Sequence, residues 1–270
     1  MRILFVSSLL VVCATAITAG VPNSRAQIAA QSDDLCADRF DSRRQHHCEV
    51  REEIIATPSD LDVDPGRNGG VRVRGWDRSD ARLRARVEAY ADTESRAREL
   101  AGTARVTTAG GRIRSDGAMT MRREHWSTSF HLDVPRNLRL AINTYNGGIS
   151  LEELAGAVVM RAVNGGLTLR HVGGDVKGTA QNGGLRIELT GSRWIGQGLD
   201  LETRNGGVRL TLPEKYSAEL ETGTVNGRVD IDFPMLIHSG RQRRFTTTLG
   251  AGGPKIRAMT TNGSVTVRRL

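Results

Sequence analysis

Along the C-terminal half of the chain, apolar and polar residues alternate in short runs that restart after each Asn-Gly. Asn-Gly-Gly stands at Asn68, Asn146, Asn164, Asn182 and Asn205, and Asn-Gly returns at Asn226 and Asn262. Asn146, Asn164 and Asn182 are spaced by 18 residues, the next two intervals are 23 and 21, and Asn226 to Asn262 is 36. A Gly-Gly pair at Gly110, 36 residues before Asn146, reads as a degenerate copy. Aligning the six copies from Asn146 onward exposes columns. Six residues before the Asn stand Leu140, Val158, Val176, Leu199, Leu220 and Ile256; three after it, Ile149, Leu167, Leu185, Val208, Val229 and Val265; five after it, Leu151, Leu169, Ile187, Leu210, Ile231 and Val267. All are aliphatic. Two before the Asn the residues are small: Thr144, Ala162, Ala180, Thr203, Thr224 and Thr260. Polar residues such as Lys177, Arg186, Asp200, Arg209 and Asp230 fill the gaps. Period-2 alternation on both sides of a turn marks strands with one buried face.

Two architectures fit. Each Asn-Gly could close a hairpin, because both residues tolerate the positive φ of a type I′ turn. Alternatively, each copy is one coil of a β-solenoid, and equivalent residues stack into core ladders. Hairpins do not require one residue class at one offset in six copies, and stacked coils do. Stacked asparagines can also hydrogen-bond to one another. The expected fold is therefore all-β, a repeat-built parallel β-solenoid with one short helix. An antiparallel β-sandwich is the alternative. Loops should interrupt the coils at Thr190 to Gly198, at Leu212 to Tyr216, where Pro213 blocks the ladder, and at Met235 to Arg244.

The pattern weakens before Asn146. Leu61 to Val63, Val71 to Val73, Leu83 to Tyr90 and Ser127 to Val134 read as strands, the last ended by Pro135. Asp92 to Leu100 is the expected helix, with Asp92 as its cap and Glu94 at the positive end of its dipole.

The N-terminus changes the setting. Arg2 precedes an apolar run from Ile3 to Val12, and small residues follow, with cleavage points after Ala16, Ala19 or Ala26. This reads as a secretory signal over 1–26, too short for a membrane span. Leu10-Val11-Val12 before Cys13 lacks the small residue that a lipidation site wants. Losing Arg2 and Arg25 with that segment lowers the formal net charge from +8 to +6. Cys36 and Cys48 then remain as an even pair, which in an exported chain reads as a disulfide. His46 and His47 abut Cys48, but the spacing matches no zinc pattern. Residues 27–50 are expected to be a disulfide-bearing leader, and 51–270 the β-repeat domain.

The series Leu-x-Ile-x-Thr-x-Asn-Gly-Gly-Ile-x-Leu at 140–151 has copies at 158–169 and 199–210. Val134-Pro135 precedes it, and Thr260-Thr-Asn-Gly-Ser-Val-Thr-Val267 is the last copy. Together these resemble the DUF4097 adhesin-like family of bacterial β-repeat proteins, over about residues 50–270. The resemblance implies a right-handed, single-stranded β-helix-like solenoid and a place in the bacterial envelope, and it brings no known catalytic residues with it.

Candidate chemistry is sparse. Asp60, Asp62 and Asp64 alternate as in a calcium loop, but Pro65 and Val71 stand where an EF-hand needs Gly and Glu. Asp200 and Glu221 share a column, with Glu202 on the same face and Lys177 and Arg204 close by. Such surface carboxylates serve acid–base work in polysaccharide-acting enzymes, yet in a sheet they more commonly form cross-strand ion pairs. The six histidines show no metal spacing, and the Gly-rich stretch Leu249 to Gly253 opens no helix. Aromatics are only 4%. The basic residues alternate with acids, without the platforms of a nucleic-acid binder. The reading is a non-catalytic envelope binding or scaffold module, without cofactor or metal. It is exported to the periplasm, the cell surface or the medium. A monomer fits, and its partner is an envelope polymer or protein rather than nucleic acid. A polysaccharide-acting β-helix enzyme and an accessory or sensor protein of an envelope-stress system are the alternatives.

Overall fold

The computed structural model describes residues 35–37, 44–56, 59–121, 123–232 and 243–270. The signal segment at 1–26, most of the expected leader and most of the excursion at Met235 to Arg244 lie outside them. In chain order, the first half holds β1 (Gln45–Ile55), β2 (Asp60–Asp64), β3 (Val71–Trp76), β4 (Ala81–Ala91) and α1 (Glu94–Thr103). β5 (Arg105–Thr107), β6 (Arg112–Asp116) and β7 (His125–Pro135) follow. The repeats then supply strands in pairs on either side of each Asn-Gly: β8 (Arg139–Asn146) and β9 (Ile149–Glu152), β10 (Ala157–Asn164) and β11 (Leu167–Arg170), β12 (Asp175–Asn182) and β13 (Leu185–Glu188). β14 (Gly198–Asn205) and β15 (Val208–Leu212), then β16 (Ala218–Asn226) and β17 (Val229–Asp232), continue the series. β18 (Arg244–Leu249) interrupts it before β19 (Lys255–Asn262) and β20 (Val265–Arg269).

Two ten-stranded sheets face each other across one core. Strands that lead into an Asn lie in the first sheet, and strands that leave it lie in the second. All pairings among the repeat strands are parallel and in register: Asn146 lies opposite Asn164, Asn164 opposite Asn182, and Asn182 opposite Asn205. This is the stacked solenoid, not the sandwich of hairpins. The three aliphatic columns are buried in every coil except the terminal one, where Val229 and Ile231 are half-buried.

The spatial order departs from the chain order. β19 lies between β14 and β16, and β20 between β15 and β17, so the last coil is inserted inside the stack. Charge gives a reason. With coils in chain order, Asp200 and Glu221 would lie directly opposite, and like charges there are destabilising. The inserted strand puts Arg257 between them.

Antiparallel strands close three of the four sheet ends, and the fourth is β17, which pairs parallel with β20. β1, β4 and β7 run antiparallel at one end of the second sheet, β5 pairs antiparallel with β6, and β18 pairs antiparallel with β16. Such ends shield the open edges of a parallel stack. The boundary expected at residue 50 falls inside β1, whose apolar and polar positions pair with β4 along its whole length. The Gly110 pair is not a degenerate coil. It lies in a 3₁₀ turn leading into β6 of the first sheet, whereas each true corner leads into the second. The helix also starts later than expected. Thr93, not Asp92, caps α1, its hydroxyl accepting from the Arg96 amide at 3.2 Å. Leu100, Ala101 and Ala104 of this segment bury Val87 and Ala89 of β4.

Both inserted loops fold back on the core. Trp194 is buried and donates its indole N–H to the Gly174 carbonyl at 3.0 Å, and Tyr216 is buried beside it in the same cluster. No helix among the described residues is long and apolar enough to cross a membrane.

Candidate functional site

The seven asparagines form one ladder. Each side-chain amide donates to the Oδ1 of its neighbour, in the order Asn226, Asn262, Asn205, Asn182, Asn164, Asn146, Asn68, at 2.8–2.9 Å. Backbone bonds run beside it, from Gly147 N–H to the Asn164 carbonyl and from Gly165 N–H to the Asn182 carbonyl, each at 3.0 Å. The small column has a role here. Thr144 and Thr260 are buried and donate their hydroxyls to the carbonyls of Gly147 and Gly206 at 2.7 Å.

The glycines are required for a reason other than positive φ. Among the described residues the only non-glycines at positive φ are Arg123, Glu153 and His171, and of the corner glycines only Gly69 lies there. A Cβ on Gly147, Gly165 or Gly206 would instead come within 2.1–2.2 Å of the carbonyl oxygen of the adjacent coil. The second glycine is less confined at Gly70, Gly148, Gly184 and Gly207, where the nearest atom to a Cβ would be a neighbouring carbonyl oxygen at 3.1–3.2 Å, whereas at Gly166 that distance is 2.6 Å. Consistently, that second position is Arg228 and Ser264 in two coils. These asparagines and glycines are corner structure.

The acidic group is neutralised. Arg257 donates to Asp200 at 2.6 Å and to Glu202 at 3.4 Å, and its Nε lies 3.7 Å from Glu221. Glu221 is buried and also engages Arg244 and, at 3.3 Å, Lys255. The Arg244 hydrogen bond holds the Glu221 carboxyl below its ordinary value. Lys177 lies opposite Asp200 in register but bonds Asp175. These carboxylates are paired with cations rather than placed as an acid and a base.

The other candidates are also accounted for. Asp62 pairs with Arg114, and Asp64 accepts from the Gly66 amide at 2.8 Å. His171 bonds Glu153 at 2.9 Å. No three metal-ligating side chains converge among the described residues. Cys36 and Cys48 are joined as a disulfide, which ties residue 36 to β1.

The sequence did not disclose a groove on the outer face of the second sheet. Two adjoining depressions of about 420 and 470 Å³ share Thr168. Their floor includes the second glycines of successive corners: Gly70, Gly148, Gly166, Gly184 and Gly207. Arg72, Arg86, Arg186 and Arg209 line it with Ser129, Ser150, Thr168, Ser264 and Thr266, and no carboxylate does. Burial, reinforced by the charges of Arg72, Arg84 and Arg86, pushes the His131 imidazole in this lining down to about 4, so it is neutral at pH 7. The signal available in the sequence was that second glycine, which the fold allows to vary. The opposite face carries a different groove of about 570 Å³, where Tyr145 and Val163 meet Arg67, Arg161 and Asp64.

The model of the Toastrack family DUF4097 matches residues 101–268. Among solved structures, the chain is similar to a "putative cell adhesion protein" from Clostridium sporogenes, at 8% identity and a TM-score of 0.36, covering 83% of this chain and 100% of that one. It is similar to a "putative adhesin" from Bacteroides fragilis, at 10% identity and a TM-score of 0.41, covering 82% and 97%. A "putative lipid binding protein" from Parabacteroides distasonis matches at 11% identity and a TM-score of 0.28, covering 83% and 97%. No curated protein matches.

Proposed function

We propose, from the premise that the chain belongs to the DUF4097 Toastrack family, that it is a non-catalytic binding or scaffold module exported to the bacterial envelope. One observation carries this reading: parallel in-register stacking displays exposed side chains as straight columns across two broad faces. Such a face suits an extended partner, whether polymer or protein. The ion pairs around Arg257 support a structural role for Asp200, Glu202 and Glu221. The Cys36–Cys48 disulfide supports an oxidising compartment, in line with a signal segment at 1–26 and a β-repeat domain after it.

The test is capture of envelope material by the tagged, exported protein at moderate salt. Peptidoglycan, an envelope polysaccharide or a defined envelope protein should be retained, and retention of none of these would overturn the reading. In parallel, Asp200→Ala, Glu202→Ala and Glu221→Ala should leave polymer turnover at background. Turnover by the native protein that these variants lose would replace the reading with an enzyme.

A further inference from the structure

We infer that the glycine-floored groove on the outer face of the second sheet binds an extended polycarboxylate glycan, a uronic-acid polysaccharide laid across the strands. The inference rests on the binding-module reading and names its partner and its site.

Geometry comes first. The two depressions run from β4 to β20 across eight strands, a span of roughly 34 Å at about 4.8 Å per strand. A groove of that length takes a chain rather than a small molecule. Its floor lacks side chains because the second corner residue is glycine in five coils. The corner ladder uses the N–H of the first glycine and of the residue after the second, as in Gly147 to Asn164 and Ile149 to Gly166. The amides of Gly148, Gly166, Gly184 and Gly207 make no backbone hydrogen bond among the described residues.

Charge then selects the ligand. Arg72, Arg186 and Arg209 are exposed and engage no carboxylate among the described residues. This contrasts with the opposite face, where the Arg257 cluster is internally neutralised. Arginine matches a carboxylate with two parallel N–H bonds, and the Ser and Thr hydroxyls of the lining suit the hydroxyls of a sugar. Nucleic acid fits less well, because single strands are held by exposed aromatic platforms and the one Phe, Tyr or Trp ring in the lining, Phe130, is fully buried. A membrane surface fits less well too. The exposed large apolar side chains, such as Met119, Tyr145 and Ile195, lie outside the groove.

The experiment measures fluorescence anisotropy of a labelled oligogalacturonate long enough to span the groove, added to the mature chain. A neutral galactan of equal length, single-stranded oligo-dT and anionic phospholipid vesicles are run beside it. Arg186→Gln with Arg209→Gln is the test pair. Arg161→Gln with Arg204→Gln removes the same charge from the opposite face, and thermal melting checks that both pairs fold. The expected result is saturable binding of oligogalacturonate, weakened about tenfold or more by the test pair and within about twofold of native in the control pair. Saturation should also raise the His131 imidazole pKa, followed by NMR, because the bound anions offset Arg72, Arg84 and Arg86. The inference falls if native protein does not bind the oligogalacturonate, if both pairs weaken it equally, or if the neutral galactan binds as well. Tighter binding of oligo-dT or vesicles would assign the groove to those ligands instead. If oligogalacturonate fails while another envelope partner is still captured, the inference falls and the binding-module reading stands.

Discussion

Replacing Gly206 by Ala places a methyl group where the next coil already has backbone. The added Cβ would lie 2.2 Å from the Gly183 oxygen, 2.4 Å from its carbon and 2.8 Å from the Gly184 nitrogen. Ordinary contact begins near 3.4 Å, so the coils must part by about 1 Å where strands normally sit about 4.8 Å apart. That corner holds the Gly183 amide on the Asn205 carbonyl at 2.9 Å, the Asn205 amide on Asn182 at 2.9 Å and the Thr203 hydroxyl on the Gly183 carbonyl at 2.6 Å. Overpacking costs typically ~1–3 kcal/mol, and each weakened hydrogen bond about 1 kcal/mol. Gly206→Ala should therefore destabilise by about 3–4 kcal/mol. Gly207→Ala is the internal control. Its Cβ meets one atom, the Ser264 oxygen, at 3.1 Å, and a shift of a few tenths of an ångström relieves it. Loss of glycine's unfolded-state freedom offsets part of that strain, so this variant should cost less than about 1 kcal/mol. Urea unfolding followed by far-ultraviolet circular dichroism measures both. In melting temperature, Gly206→Ala should lose about 10 °C, at roughly 2–4 °C per kcal/mol for a domain of this size. Equal destabilisation by the two variants, or a loss below about 1 kcal/mol for Gly206→Ala, would refute inter-coil clearance as the reason for the glycine.

Asn182→Ala interrupts the ladder on both sides and should cost about 1–2 kcal/mol in urea unfolding, because two exposed side-chain hydrogen bonds are lost. Thr93→Ala should cost about 1 kcal/mol and Asp92→Ala much less, since Thr93 makes the cap; the reverse ranking would restore Asp92 as the cap. The depressed His131 pKa makes stability depend on acid: between about 6.5 and 4 the unfolded chain takes up a proton that the folded chain refuses, so stability falls as pH falls through that window. Arg72, Arg84 and Arg86 face the ring and Asp133 opposes them, so His131→Asn should flatten the pH 7 to 4.5 stability profile by up to about 2 kcal/mol, with an unchanged slope counting against the argument. Cys36→Ser with Cys48→Ser should cost at most about 3 kcal/mol from the short loop the bond closes.

The repeat register was determined by the sequence alone. A parallel in-register stack puts residues of equal offset above one another, so aligning on Asn shows which side chains share a column. The aliphatic columns, the small column with Thr144 and Thr260, and the asparagine ladder all follow from that rule. The strands of the first half were legible on a different ground, their local alternation, as at Val71 to Val73 and Leu83 to Tyr90.

Only the tertiary structure decided which coil lies beside which. Offsets place a residue along its strand but are blind to the order of strands across the sheet, and that order depends on pairings remote in sequence. Hence Arg257 stands between Asp200 and Glu221, although the offsets alone put both acids in one column. The antiparallel end of β1, β4 and β7 was hidden for the same reason, because nothing local distinguishes a strand that joins a stack from one that closes it. The two corner glycines look alike in sequence. Their separation into one that must clear the next coil and one that floors a groove is a matter of where a Cβ would point, and that is set by the stacking itself.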